Sequence, residues 1–456
     1  MVLNHKSGAR PSEGIRQSSR GEAHPALRTP SVTVEHSEAR VDAPPLSVME
    51  ISDLGSFLDL EPVWDSLVQR AGICHPFLTH TWVRTWWECF GGANELRILA
   101  VKEGDEIIAL APLMKGPGQL YGLNVLKVRS LSNDHSPRFD FILTRRAEES
   151  LDVIWNHLLQ RGDWDVLELQ QVPESATTLQ SLPKMAKSRG LRTGLWSSAN
   201  SPYLPILGAW EDYHHSLSGK YRSTQRSRLK HLTQLGEVAL EVISSTEEVQ
   251  TALEEGLRIE ASGWKGEVGT AISSRTEVHR FYSRLAERAA PKGWLRLHFL
   301  KAGTRRIAFD YCLLYANRLY LLKPAYDPGY ARYSPYNLLC ERVIQQAFQD
   351  HLEEFDFLGT DEEWKLSRTR RTRNHYWLFA FANSVRGRIL HLAKFELVPG
   401  LRKSRMYLHL RDQVLEWMPT ADWWRRGAAS SAAGRMVRRA GARKEVKCVE
   451  LPANAD

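Results

Sequence analysis

The chain has 456 residues, 43% apolar and 25% charged, with a formal net charge of +8. That length exceeds the roughly 250–300 residues at which a single core stops growing, so more than one core is expected. The composition is that of a globular protein, and its basic balance favours acidic partners such as phosphates, nucleic acid or an anionic membrane surface.

Residues 1–46 are rich in Ser, Arg, Glu, Pro and Gly and read as a disordered leader without the apolar core of a signal peptide. Helical periodicity follows at 55–70 and 79–90, then strands at 96–101, 107–113 and 139–143. A helix at 147–161, a strand at 164–172 and a helix at 175–189 close a first half, 47–208. A basic helical connector spans 209–236. The second half, 237–400, carries a strand at 238–243, helices at 246–262 and 276–290, and strands at 294–301, 305–315 and 318–325. A helix at 335–350 and a strand at 354–358 follow. Residues 401–456 read as C-terminal helices and a basic tail. The predicted class is therefore α/β (α+β), with layers of mixed helices and strands. No run of about eighteen apolar residues occurs, so a cytoplasmic chain is expected.

The segment "LRILAVKEGDEIIAL" (96–110) aligns without gaps on "LRLHFLKAGTRRIAF" (295–309), matching Leu96/Leu295, Lys102/Lys301, Gly104/Gly303 and Ala109/Ala308 among others. Each copy reads as a hairpin and follows an aromatic-bearing helix, which predicts a duplicated domain. The five cysteines are widely spaced, which favours a reducing compartment. His214–His215 is the one close histidine pair, and no ligand spacing predicts a metal site.

Several stretches could carry chemistry. Trp264 and Lys265 in "WKGEVGTAI" offer an aromatic face and a cation, or simply end a helix. Tyr326, Asp327, Ser334 and Asn337 in "AYDPGYARYSPYNLL" sit where a strand meets a helix N-terminus, with Ser334 expected as N-cap and Pro335 in the first turn. Asp310 interrupts the apolar strand "RIAFDYCLLY" and reads as a general base or a structural ion pair. Arg222, Arg226 and Lys230 recur every four residues on one helix face, which suits nucleic acid, a diphosphate or plain solvent. Lys365 stands alone after the acidic loop of "FDFLGTDEEWK" and is expected to be an exposed loop residue, paired at most with Asp361 or Glu362. Trp417, Trp423 and Trp424 beside arginines suit either a membrane interface or a packed C-terminal helix.

The ordered set "WKGEVGTAI", "AYDPGYARYSPYNLL" and "FDFLGTDEEWK" resembles the CelD/BcsL-type acetyltransferases of cellulose and exopolysaccharide production, a GNAT-superfamily branch related to the FemAB aminoacyltransferases. The opening "WDSLVQRAGICHPFLTHTWVRTWWECFG" is similar as well, so the likeness covers about 50–390. It implies tandem GNAT-like domains, each a mostly antiparallel sheet flanked by helices. It also implies an acyltransferase acting on a polysaccharide or lipid-linked envelope precursor, with Lys365 stabilising an oxyanion. Acetyl-CoA or another acyl-CoA is the implied donor, contacting Tyr326, Ser334 and Asn337, without a metal. Trp264, Lys265, Asp327, Arg222 and Arg226 are the implied substrate contacts. Tyr336 departs from the pattern, since it stands where relatives often have glycine. The alternatives are transfer from an aminoacyl-tRNA and a non-catalytic scaffold of a polysaccharide-synthesis complex. DNA is not an expected partner, and peripheral membrane contact remains open.

Overall fold

The computed structural model describes residues 44–263, 269 and 271–398. Residues 1–43 of the leader, Trp264, Lys265 and the tryptophans of the C-terminal tail lie outside the described residues, whereas Leu46, the last residue of the expected leader, opens the first strand. The first half runs β1 (Leu46–Ile51), α1 (Leu54–Asp59), α2 (Glu61–Arg70), α3 (His80–Phe90), β2 (Glu95–Glu103), β3 (Glu106–Leu120) and β4 (Leu123–Ser130). It continues through β5 (Ile142–Leu143), α4 (Ala147–Arg161), β6 (Val166–Pro173), α5 (Thr177–Ser188) and β7 (Arg192–Pro205). Two helices, α6 (Trp210–Ser216) and α7 (Gly219–Leu232), lead to β8 (Val238–Ile243), α8 (Thr246–Ser262) and α9 (Thr276–Ala289). Then come β9 (Leu295–Ala302), β10 (Arg305–Tyr315), β11 (Arg318–Tyr326), α10 (Pro335–Gln349) and β12 (Glu354–Asp356). The short α11 (Glu363–Leu366), β13 (Thr372–Phe381) and α12 (Val385–Leu392) complete the described chain.

Local chemistry sets many boundaries. The predicted helix 55–70 is split at Leu60 because Pro62 begins a new helix, whereas Asp53 caps α1 by accepting from Ser56 N at 2.8 Å. Thr79 caps α3, and Gly162, at φ 58°, ends α4 in the left-handed region. The basic connector breaks at Leu217–Ser218, where Ser218 caps α7. Among the described residues, no helix is long and apolar enough to cross a membrane.

The strands form one sheet in the order β1-β2-β3-β4-β6-β13-β7-β12-β11-β10-β9-β8, with β5 paired to β3. Each end repeats the same pattern. A first strand pairs antiparallel with a hairpin, β1 with β2–β3 and β8 with β9–β10, and the hairpin pairs antiparallel with β4 or β11. The next strand is then parallel, β6 beside β4 and β12 beside β11. The two sequence echoes thus occupy matching hairpins, and their turn glycines share one left-handed conformation, φ 61° at Gly104 and 60° at Gly303. The aromatic helices before them, α3 and α9, pack on each other: Trp82 meets Phe281 edge-on at 5.3 Å, and Glu88 accepts from Arg284 and Arg288 at 2.8 Å.

The sixth strand of each pattern comes from the other half. β13, from the end of the chain, lies between β6 and β7, while the last residues of β7 (203–205) pair with β12. Neither β7 nor β13 is evident in the sequence. β7 reads "RTGLWSSANSPYLP", with the Ser, Asn, Gly and Pro of a loop, and β13 follows a run of arginines.

Beside this crossing, Asp356 at the end of β12 is fully buried. Its carboxylate accepts from Arg138 of the first half, from Arg373 of β13 at 3.1 Å and from Leu358 N at 2.9 Å. Arg373 also pairs with Glu354 and lies over the Tyr203 ring at 3.5 Å. Burial, aided by Arg138, pushes His375 down to about 4, and burial holds His75 well below the usual imidazole range.

Because each half is completed by a strand of the other, unfolding followed by tryptophan fluorescence and by far-ultraviolet dichroism is expected to give one coincident transition. Two separated transitions would show that the halves stand alone. The depressed histidines add a pH dependence. His375 at about 4, His135 at about 4 and His298 at about 3 bind protons more readily unfolded than folded. Their contribution is complete above the ordinary 6.5 and is lost as pH falls from there towards 4. Urea midpoints measured across that range should fall, and His375→Phe should flatten the slope.

Candidate functional site

The candidate site lies where β11 and β12 part. They are parallel only from Arg318/Glu354 to Tyr320/Asp356. β11 then continues to Tyr326 along β10, carrying one extra residue, Leu322, where the register shifts. The chain after β12 instead turns away through Leu358 (φ 52°) and Gly359 (φ 63°). The N-terminal turn of α10 and the short α11 meet through the Trp364 ring, with Tyr336 edge-on at 5.2 Å and Phe357 at 6.0 Å.

Lys365 is not the exposed loop residue its surroundings suggest. It is 6% exposed, and its ammonium donates to Leu358 O at 2.8 Å and Thr360 O at 3.1 Å. Burial lowers its pKa, partly offset by Glu362 at 3.5 Å and by the Asp356 and Asp361 charges. Two of its three N–H bonds therefore hold the loop that leads to it, and the third faces Glu362, which is exposed.

Arg368, one turn on, is buried as well. It donates to Trp364 O and, at 2.8 Å, to Asn337 Oδ1, and lies over the rings of Trp364 and Tyr221. One guanidinium thereby ties α11 to α10 and α7. Asn337 is thus engaged within the protein. Arg226 is exposed on α7, while Arg222 is half-buried and donates to Leu217 O at 3.3 Å.

The loop between β11 and α10 decides how well a pyrophosphate is received. Asp327 accepts from Gly329 N through its side chain at 2.8 Å and from Tyr330 N through its carbonyl at 3.0 Å. Ala331 O takes Ser334 N, and Ser334 O takes Asn337 N, both at 3.0 Å. Ser334 stands at the N-cap as expected, but it is left-handed (φ 45°) and its hydroxyl makes no capping bond. Pro335 brings no N–H. A loop whose amides are turned inward and which carries a carboxylate does not form an anion cradle, so the residues present do not fit the pyrophosphate of a CoA donor here. Tyr326 is exposed at the far end of β11.

Asp310 is displaced from the expected role. It is fully buried on the face of β10 that α10 covers, beside His298 and Cys312, so in this conformation no acceptor reaches it as a base. Sequence reading gave no specific role to Asp356, Arg368, Arg138 or Arg373. Asp356 left a trace as an acid between two phenylalanines of a buried strand, and Arg368 and Arg373 as the ends of the basic run 368–373.

Residues 219–366 match the family described as Acetyltransferase (GNAT) domain. This agrees with the three ordered motifs and with the mixed, mostly antiparallel sheet. Among solved structures, FemX is similar at 12% identity, with 76% of this chain and 99% of that one covered and a TM-score of 0.49. The C-terminal domain of a putative lysylphosphatidylglycerol synthetase from Agrobacterium fabrum is similar at 13%, covering 72% and 96%, with a TM-score of 0.43. A tandem GNAT protein from the clavulanic acid pathway is similar at 11%, covering 75% and 99%, with a TM-score of 0.39. No curated protein matches the chain.

The buried ammonium corrects the expectation that Lys365 is expendable for folding. Lys365→Met would leave Leu358 O and Thr360 O without their donor, and should cost about 1–3 kcal/mol of stability. A denaturation midpoint equal to wild type would show that water replaces the ammonium at no cost.

Proposed function

We propose that this chain transfers an acyl group to an amine or hydroxyl of a polysaccharide or lipid-linked envelope precursor, as a CelD/BcsL-type acyltransferase. In this reading the halves are 47–208 and 237–400, with 209–236 as the basic connector, and the protein works in the cytoplasm or at the inner face of the membrane. The observation that carries the proposal is the buried Lys365 ammonium at the parting of β11 and β12, inside the matched domain. Attack on an acyl carbonyl places negative charge on its oxygen. A preorganised cation in a desolvated cleft stabilises that charge more than it stabilises the neutral ground state. The third N–H of Lys365 serves this role once Glu362 swings into solvent. Arg368 holds the turn that carries it, and Arg222 and Arg226 suit an acceptor diphosphate. Trp264, Lys265 and Asp327 remain proposed substrate contacts, and Tyr326 a proposed donor contact.

A second reading, aminoacyl transfer from a charged tRNA, is favoured by one observation. The loop 327–334 offers no pyrophosphate cradle, while the exposed cations of α7 stand next to the same turn. Acetyl-CoA remains the donor that the family resemblance implies, and the choice between donors is experimental.

The test uses the full chain. A ligand that binds only the native state raises its melting temperature, so acetyl-CoA and an aminoacyl-tRNA are compared directly. With the donor that binds, Lys365→Met should lower turnover per folded molecule by about a hundredfold to a thousandfold, and Lys365→Arg should recover part of it. Wild-type turnover in the methionine variant would remove Lys365 from the reaction. Failure of every donor to bind would favour the scaffold reading.

A further inference from the structure

Beneath α10 the second half contains a polar island in an otherwise apolar layer. His298 on β9 and Asp310 on β10 are cross-strand partners, and Cys312, two residues on, shares their face. An imidazole nitrogen, a carboxylate oxygen and a thiol sulfur lie within 4.8 Å of one another there. Exposure is 3% at His298 and 0% at both Asp310 and Cys312. Their surroundings are Leu300, Ile307, Ala308, Leu339 and Val343. A sheet face that buries leucine and valine does not need three polar groups, and their convergence calls for a physical reason.

A further observation points to a ligand. His298 Nδ1 is buried without a hydrogen-bond partner.

We propose that His298, Asp310 and Cys312 bind one zinc-class divalent cation inside the second half. The mixed nitrogen, oxygen and sulfur set suits zinc and not calcium or magnesium, which require shells of oxygen. Tetrahedral bonds of about 2.0–2.3 Å separate ligand atoms by about 3.3–3.8 Å, so the donors need to draw together by about 1 Å. Binding breaks the S–H bond of Cys312, forms a sulfur–metal bond and releases the proton to solvent. A dication, a thiolate and a carboxylate then sum to zero charge, the condition a dry core tolerates. The site is closed, so the cation enters as the half folds and its role is structural. No sequence motif announces it, because the ligands come from two strands at positions 298, 310 and 312.

The experiment uses full-length protein refolded from denaturant with zinc chloride and then dialysed. The expected result is about one zinc per chain by elemental analysis, released to a chromogenic chelator only on unfolding. Occupancy should fall at least about tenfold in His298→Ala and in Cys312→Ser, and should be unchanged in Cys89→Ser, a buried cysteine of the first half. If the site variants do not fold, wild type refolded with cobalt reports instead, through a thiolate-to-cobalt charge-transfer band. Zinc below a tenth of an equivalent, zinc retained in both site variants, or cobalt protein without that band would overturn the proposal.

Discussion

The joint between the halves depends on one buried carboxylate. Asp356 takes a guanidinium from the first half, Arg138, and another from β13, Arg373, while its second oxygen accepts Leu358 N. Arg138 could not remain in this apolar setting alone, because an unpaired buried charge is far more costly than a paired one. With Glu354 the group holds two acids and two arginines, and burial keeps His75 and His375 uncharged, so the interior charge cancels. The crossing of β7 and β13 is consistent with this cancellation, since it brings Arg373 beside β12.

The same strand end positions Lys365. β12 is only three residues long, and its last residue is fixed by the ion cluster on one side of the sheet. The chain must then turn at once, through Leu358 and Gly359, both left-handed. That turn points the carbonyls of Leu358 and Thr360 at a single spot, where the Lys365 ammonium sits. Arg368 fixes the other end of the segment on Asn337. The lysine's position is thus set by carbonyls before it and a guanidinium after it, and not by its own acidic neighbours.

Much of the fold is legible in the sequence because it rests on local periodicity. The hairpins 95–120 and 295–315 announce themselves by alternation, a turn glycine and each other. The strands that escape notice are β1, β4 and the two that cross. Each crossing strand is held by partners far away in sequence, so its residues need not show a strong local preference, and β7 contains Ser197, Ser198, Asn200 and Pro202 in its pairing region. The site was legible only in part for a related reason. A lone lysine after an acidic loop looks solvated, and its partners are main-chain carbonyls, which leave no mark in sequence. Asp310 was visible as an anomaly in an apolar strand, but periodicity does not reveal which layer covers that face.

The strand exchange has a consequence for synthesis. β6 finds its neighbour β13 some two hundred residues later in the chain. While the ribosome extends the second half, the first half waits with β6 and β7 lacking the strand that lies between them. Two open edges of Val166–Val172 and Leu195–Trp196 character are therefore displayed throughout translation. Neither edge can take its folded-state partner until Phe381 has emerged, and stalling before that point would prolong exposure to wrong strand partners.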